Sequence, residues 1–208
     1  MTDARGKRKR RREGAAHLAA LCRRLHAAGM TAATDGNVSM RTPRGTILIT
    51  RSGIPKERVR AADLVELSPR GRKLRGQGRP STEAGMHLFI YRRRPDVMAV
   101  VHAHPVYATA YAVARVSPEE NVLPEVIAGL GRIPLAPYAT PSTGEVAASL
   151  GRWVTQSQAV ILANHGAVTW GGSLEEAWYR MEKLEHAARI LWTARMLGGA
   201  RPLSTAQV

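Results

Sequence analysis

Cysteine and phenylalanine each occur only once in the 208-residue chain, as Cys22 and Phe89. A single cysteine excludes an intrachain disulfide and a Cys-x-x-Cys metal site, and it favours a reducing compartment. No apolar run approaches the roughly 18 residues that a membrane span needs, and no signal-peptide core follows the basic start. We therefore predict a soluble cytoplasmic protein without membrane attachment.

Acidic residues are also few, with 16 Asp and Glu against 31 Lys and Arg and a formal net charge of +15. Residues 1–13 are strongly basic, and a block of like charge cannot build a core. We predict a disordered basic tail over residues 1–13 and a single domain over residues 14–208. The tail suits non-specific contact with nucleic acid, or it only keeps the chain in solution. The other basic residues lack aromatic neighbours, so we expect a small anionic substrate rather than a nucleic acid.

An apolar run over residues 97–101 leads into two histidines, His102 and His104. The run is typical of a central strand that is covered on both faces. In extended structure both imidazoles project from the same face of the sheet, which suits a shared metal ion, and Pro105 ends the strand. Two unrelated histidines at a strand end are the alternative interpretation.

A second apolar strand, predicted over residues 159–162, is followed by His165. Three imidazoles would leave one coordination position for a carboxylate, water or substrate, as in catalytic zinc sites. Glu83, at the start of a helix predicted over residues 83–94, is the candidate fourth ligand. His186 lies on the polar side of a long amphipathic helix, where a surface or packing role is expected.

Three stretches that precede the histidines have the composition of anion-binding turns. The first, residues 34–41, contains glycine and asparagine, which suit an anion cradle, although a simple turn between two strands is the alternative. The second is a Ser-Gly turn after a short strand. The third is a Ser-Thr pair at the start of the predicted helix, with Ser81 as its N-cap. The candidate anion-binding residues are Asn37, Ser52, Gly53, Ser81 and Thr82.

The order of these motifs resembles that of one known family. The motifs are Gly-Asn-Val-Ser-Met-Arg at 36–41, Ser-Gly at 52–53, Ser-Thr-Glu at 81–83, His-Ala-His-Pro at 102–105, Pro-Tyr-Ala-Thr at 137–140 and Asn-His-Gly at 164–166. Over about residues 14–198 they make the chain similar to the class II aldolase/adducin-like family. The resemblance implies an α/β fold, a three-layer α/β/α unit with a central, largely antiparallel sheet. It also implies a homotetramer with active sites between subunits.

The same resemblance implies a role for each candidate residue. His102, His104 and His165 would bind one zinc ion per subunit. Glu83 would bind the metal and then carry the substrate proton. The residues that match the family's phosphate-binding groups are Asn37, Ser52, Gly53, Ser81 and Thr82.

The implied activity is zinc-dependent cleavage of a ketose 1-phosphate, such as fuculose 1-phosphate, to dihydroxyacetone phosphate and an aldehyde. Glu125 falls where aldolases of the family bring a tyrosine across the subunit interface, and where methylthioribulose-1-phosphate dehydratases have a catalytic glutamate. Those dehydratases lack the carboxylate at the Glu83 position, whereas this chain has both. Dehydratase, epimerase and decarboxylase reactions on the same zinc frame stay open as alternatives. A non-catalytic, adducin-like binding module is a further alternative, against which the three histidines argue.

Overall fold

The backbone forms one eight-stranded sheet with helices on both faces. A computed structural model of the chain describes residues 2–118, 121–204 and 206–207. The strands are β1 (Asn37–Arg41), β2 (Ile47–Thr50), β3 (Leu64–Leu67), β4 (Lys73–Arg75), β5 (Ala99–Ala103), β6 (Leu135–Ala136), β7 (Ala159–Leu162) and β8 (Gly166–Gly171). The helices are α1 (Thr2–Ala27), α2 (Ala84–Arg93), α3 (Val106–Ala114), α4 (Pro124–Leu130), α5 (Gly144–Leu150), α6 (Trp153–Gln156) and α7 (Leu174–Met196).

The strand order in the sheet is β4-β3-β2-β1-β5-β8-β7-β6. All neighbouring strands are antiparallel except β6 and β7, which are parallel. This confirms the largely antiparallel sheet that the family resemblance implied. β5, the strand that carries the first histidine, lies between β1 and β8 and is buried along its whole length.

Two apolar clusters lie on opposite faces of the sheet. Because side chains alternate along a strand, Val100 packs into one cluster and Val101 into the other. The Val101 cluster contains apolar residues of α1, α3 and α7, and the Val100 cluster contains those of α2, α5 and α6. The predicted three-layer α/β/α arrangement is therefore confirmed.

The C-terminal helix α7 is capped at its first turn by side chains. The Ser173 side chain accepts a hydrogen bond from the Glu176 backbone N–H at 3.0 Å, and the Glu176 carboxylate accepts one from the Gly172 N–H at 2.6 Å. Charged residues are interspersed among apolar ones along α7. Of the helices in the described part of the chain, none combines the length and apolarity needed to cross a bilayer.

The basic N-terminal segment is helical, whereas the sequence predicted a disordered tail. α1 begins at Thr2, and its second half is anchored by buried residues such as Leu18 and Leu25. Once that half is helical, each further residue adds one hydrogen bond, and arginine and lysine are good helix formers. Both Nη2 and Nε of Arg11 contact the Glu66 carboxylate, at 2.9 and 3.0 Å. Met1 lies outside the described residues.

Arg11→Ala should lower the free energy of unfolding by about 1–3 kcal/mol, because the Glu66 side chain is 7% exposed and would lose its charged partner. Urea unfolding followed by circular dichroism measures the change. Arg12→Ala, at an exposed position of the same helix, is the matched control and should stay within about 0.5 kcal/mol of the wild type. Equal stability of the two variants would favour the disordered tail instead.

Candidate active site

Three histidines converge at one end of the central strands. His102 is in β5, His104 follows two residues later, and His165 lies in the turn between β7 and β8. The pairing of β5 with β8 brings this turn beside the end of β5. One ring nitrogen of each histidine lies within 4.8 Å of the other two, and the Nε2 atoms of His102 and His104 are 3.1 Å apart. The structure thus brings together the three residues that the sequence singled out.

Two glycines allow the backbone to come this close. At Gly166 an added Cβ would lie 2.5 Å from the His104 ring, too close for any side chain. At Gly36 it would lie 2.8 Å from the carbonyl oxygen of His102, and the backbone there is left-handed, with φ of 74°. Glycine is required at both positions for the histidines to reach their places.

Glu83 joins the histidines from α2. Its Oε2 lies 3.2 Å from Nε2 of His102, and its Oε1 lies 3.2 Å from Nε2 of His165. The amide of Asn37 donates a hydrogen bond to Oε2 at 2.7 Å. Burial acts to raise the pKa of Glu83, but His102, His165 and Asn37 outweigh it and hold that pKa below its ordinary value. The side chain is therefore a carboxylate at rest.

The start of α2 differs from the prediction. Glu83 itself is the N-cap residue and the helix begins at Ala84, whereas the sequence predicted Ser81 as the cap. The Ser81 hydroxyl accepts a hydrogen bond from the Glu83 N–H at 3.3 Å, so it braces the turn that precedes the helix. The carboxylate of Glu83 consequently sits at the positive end of the helix dipole.

The donor groups of this cluster fit a divalent metal ion. Nδ1 of His102 lies 2.9 Å from the Ala167 carbonyl oxygen, so Nδ1 carries a hydrogen and Nε2 is the ring nitrogen that faces the cluster. Nε2 lies 3.2 Å from Oε2 of Glu83, so a proton or a metal ion is needed between these two atoms. Within the described part of the chain, the buried Oε1 of Glu83 lies 3.2 Å from Nε2 of His165, but neither this contact nor any other has the geometry of a hydrogen bond to Oε1. A cation bound between three imidazole nitrogens and one carboxylate would satisfy all of these atoms.

The electrostatics of His104 favour the neutral imidazole that a metal requires. Burial, with the neighbouring His102 and His165, lowers the pKa of His104 to about 4, although Asp35 and Glu83 act in the opposite direction. The ring is therefore uncharged near neutral pH, with a lone pair available for coordination.

A cavity of about 400 Å³ opens above the cluster. His104, His165 and Glu83 lie in its wall, and so do all five predicted anion-binding residues: Asn37, Ser52, Gly53, Ser81 and Thr82. The Thr82 hydroxyl accepts a hydrogen bond from Ser142 at 2.8 Å, which ties the loop after β6 to this wall. Hydroxyl and backbone groups that suit an anion therefore face the same space as the histidines.

Two cationic side chains in the cavity wall were missed by the sequence analysis. Arg51 directly precedes the Ser-Gly turn and is held by Asp63, with Nε and Oδ1 3.2 Å apart. Lys56 is buried, and its ammonium group donates to the carbonyl oxygens of Thr34 and Ile54 at 2.8 and 2.9 Å. Burial lowers the pKa of Lys56, which Cys22 and the nearby acids partly offset. The sequence could have indicated both residues, because each lies close to a predicted anion-binding turn.

A further residue missed by the sequence analysis is His87. It is fully buried one helical turn after Glu83, and it contacts the Asn37 side chain. The sequence could have indicated this residue, because a spacing of four residues places His87 on the same side of the predicted helix as Glu83.

Glu125 is not brought to this cluster within one chain. It is exposed in the first turn of α4, where its carbonyl oxygen accepts a hydrogen bond from Lys183 at 2.9 Å, and it is not among the residues that line the cavity. A catalytic role for Glu125 therefore stays a prediction that depends on a neighbouring subunit.

Comparisons with known proteins agree with this fold. The model of the class II aldolase and adducin N-terminal domain matches residues 16–192. The chain is 34% identical over 179 residues to the 3-oxo-tetronate 4-phosphate decarboxylase of Escherichia coli K12. This alignment covers 84% of this chain and 82% of that protein. It is 34% identical over 181 residues to the methylthioribulose-1-phosphate dehydratase of Acidiphilium cryptum, which covers 82% and 86%. The L-fuculose-1-phosphate aldolase structure from Thermus thermophilus has a TM-score of 0.80 at 34% identity, covering 93% of this chain and 99% of that one. The chain therefore belongs to the class II aldolase and adducin family, as one of its enzymes.

Proposed function

We propose that the protein is a zinc-dependent aldolase that cleaves a ketose 1-phosphate to dihydroxyacetone phosphate and an aldehyde. The observation that carries this proposal is the Glu83 carboxylate, held beside three imidazoles in the wall of a cavity that also presents anion-binding groups. Similarity to a fuculose-phosphate aldolase over nearly the whole chain supports it. The three histidines argue against a non-catalytic adducin-like module.

Residues of the chain would orient the substrate and move its proton. Ser52, Gly53, Ser81 and Thr82 would hold the phosphate, with Asn37, and thereby fix the reacting carbons near Glu83. A zinc ion held by the three histidines and Glu83 would supply a Lewis acid that polarises the substrate carbonyl.

Glu83 has the protonation state that this reaction needs. As a carboxylate it takes a proton from C3 of dihydroxyacetone phosphate in the direction of condensation, and C3 then attacks the aldehyde carbon. In the direction of cleavage the C4 hydroxyl gives its proton to Glu83 as the C3–C4 bond breaks, the electron pair of that bond stays on C3, and the aldehyde forms. The protonated Glu83 then returns its proton to C3.

Decarboxylation of a phosphorylated 3-oxo acid is the second candidate. It breaks a carbon–carbon bond beside a carbonyl and leaves the same kind of carbanion, with carbon dioxide as the leaving group. Arg51 and Lys56 favour it, because they add two cations to the wall that would face a substrate carboxylate. The similarity to the Escherichia coli decarboxylase points the same way. The methylthioribulose-1-phosphate dehydratase and epimerase alternatives have no comparable support from the cavity.

One incubation experiment separates these activities. The purified, zinc-loaded protein is mixed with a ketose 1-phosphate or with a 3-oxo-4-phosphate sugar acid. Dihydroxyacetone phosphate is measured by coupled reduction, and carbon dioxide by its release. Formation of dihydroxyacetone phosphate and an aldehyde from the ketose 1-phosphate supports the aldolase. Release of carbon dioxide from the four-carbon sugar acid, together with an equal amount of dihydroxyacetone phosphate, supports the decarboxylase. Dehydrated ketose without either product would overturn both.

We further propose that the protein works as a cytoplasmic homotetramer. Glu125 is exposed and lies outside the cavity of its own chain, so a role in catalysis requires a second subunit to bring it there. The single cysteine of the chain suits a reducing compartment.

His104→Ala should abolish stoichiometric zinc binding, because two imidazoles and one carboxylate hold the ion much less well than the full set. Metal analysis after dialysis against a weak chelator measures this as a fall from about one zinc per chain to nearly none. His186→Ala, an exposed histidine on α7, is the matched control and should keep its zinc. Retention of one zinc by His104→Ala would exclude this cluster as the metal site.

Glu83→Gln should reduce turnover by about 10²–10⁴-fold, because the amide keeps the size of the side chain but cannot carry the proton. The KM for the phosphorylated substrate should change much less, since the phosphate contacts stay in place. Zinc content is measured in the same sample to separate a lost ligand from a lost acid/base. Near wild-type turnover in a zinc-containing variant would exclude Glu83 as the acid/base.

Mixing the Glu83→Gln and Glu125→Gln proteins should restore part of the activity, if Glu125 acts from a neighbouring subunit. Each variant alone should be nearly inactive, whereas mixed oligomers contain some interfaces with both native carboxylates. The two proteins are unfolded together, refolded and assayed for turnover. Full activity of Glu125→Gln alone would remove this residue from the mechanism, and inactive mixed oligomers would argue against a site shared between subunits.

A further inference from the structure

A chain of buried polar side chains leads from Glu83 into the protein interior. Asn37 contacts Glu83, and Nε2 of His87 lies 2.5 Å from Oδ1 of Asn37. On its other side, Nδ1 of His87 lies 2.7 Å from the Ser39 hydroxyl, which in turn lies 2.9 Å from the Tyr91 hydroxyl. These four residues behind Glu83 are at most 4% exposed. A polar chain of this length, buried between a helix and a sheet, needs an explanation.

The chemistry of the groups fixes the direction of every hydrogen bond. A carboxylate only accepts, so the amide nitrogen of Asn37 must face Glu83 and its oxygen must face His87. Nε2 of His87 therefore carries the hydrogen and Nδ1 is an acceptor. The Ser39 hydroxyl donates to Nδ1, and the Tyr91 hydroxyl donates to Ser39. All donors thus point toward Glu83.

The neutral form of His87 agrees with this assignment. Complete burial, with a further contribution from His102, lowers the pKa of His87 to about 3. The imidazole then has one donor and one acceptor nitrogen, which is what Asn37 and Ser39 require.

We call this chain of polar side chains, Glu83, Asn37, His87, Ser39 and Tyr91, the polar ladder. It forms because the repeat of helix α2 matches the repeat of strand β1. Glu83, His87 and Tyr91 are four residues apart along one side of α2, and Asn37 and Ser39 are two residues apart on one face of β1. Four helical residues rise about 6 Å and two strand residues about 6.7 Å, so successive polar side chains of the helix stay beside successive polar side chains of the strand. The Asn37 amide cannot pass a proton along, so the ladder holds Glu83 in place rather than supplying it with protons.

We propose that His87 is a positioning residue which, through Asn37, holds the Glu83 carboxylate in the orientation that binds the metal ion. This inference rests on the proposed function, in which Glu83 is both metal ligand and acid/base. Without the His87 donor, the Asn37 amide is free to rotate, and the buried carboxylate loses the donor that fixes Oε2.

Zinc affinity tests the proposal without reference to turnover. Zinc is titrated in competition with a chromophoric chelator into the wild type, His87→Leu and His87→Gln. The leucine variant should bind zinc about 10–100-fold more weakly, as expected when a hydrogen-bond partner of a ligand is removed. Glutamine has a donor and an acceptor of its own, so His87→Gln should restore most of the affinity. Equal affinities of wild type and His87→Leu would overturn the proposal.

Thr169→Val is the matched structural control. It removes a buried hydrogen bond from Thr169 to the Ala177 carbonyl oxygen, 2.7 Å long, that has no connection to Glu83. This variant should lower the melting temperature and leave the zinc affinity unchanged. A merely structural role for His87 predicts the same pattern for His87→Leu, and that result would also overturn the proposal.

His87→Phe carries the test if His87→Leu does not fold. The phenyl ring keeps an aromatic side chain in the buried position, but it has no donor for Oδ1 of Asn37. Zinc binding should weaken in the same direction, and unchanged binding would contradict the proposal.

Crystal structures of the metal-free wild type and the variant that folds complete the test. The Asn37 amide and Glu83 carboxylate should separate beyond hydrogen-bond distance in the variant, and an unchanged contact of 2.7 Å would overturn the inference. If the wild type binds no zinc but this contact still breaks in the variant, the proposed function fails while the positioning role of His87 stands.

Discussion

The register of β5 between β1 and β8 is the constraint on which the site depends. It places Asn37 opposite His102 on one side and Ala167 opposite Ala103 on the other. The first pairing puts the amide that holds Glu83 beside a histidine, and the second sets the turn that carries His165 at the end of β5. A slip of one residue would turn His102 to the other face of the sheet, away from α2. Such a slip is unfavourable because it would bury the polar His102 ring against the apolar cluster that contains Val101.

Features that depend on local pattern could be predicted from the sequence. The continuous apolar run before His102 predicts a doubly covered strand, and the two-residue spacing to His104 places both rings on one face. Both follow from strand geometry alone. The meeting of His165 with them is less local, because it depends on the pairing of β8 with β5. That step relied on the resemblance to a family whose motifs occur in the same order.

Features that depend on distant partners were harder to predict. The basic segment has the composition of a disordered tail, yet it continues a helix whose Arg11 finds the carboxylate of Glu66, 55 residues away in the sequence. Residues 34–41 are predicted to form an anion cradle or a turn between two strands. In the structure the turn ends before Asn37, and Asn37–Arg41 is strand β1, because β2 and β5 both pair with it. Glu125 shows the same limit at a larger scale. Its predicted role depends on a second subunit, which no pattern within one chain can position.

The polar ladder between α2 and β1 explains why the role of His87 could not be predicted from the sequence pattern. Along a helix that packs on a sheet, the side facing the sheet is expected to be apolar, and Met86 and Ile90 satisfy that expectation. His87 and Tyr91 share this buried surface but face the polar positions of β1. Apolar replacements of similar volume would often stabilise such a buried surface. They would also leave the Glu83 carboxylate, surrounded by imidazoles and buried, without a fixed orientation. In the proposed function one carboxylate holds a metal ion and also exchanges a proton with carbon. The buried hydrogen bonds restrict the freedom of that carboxylate.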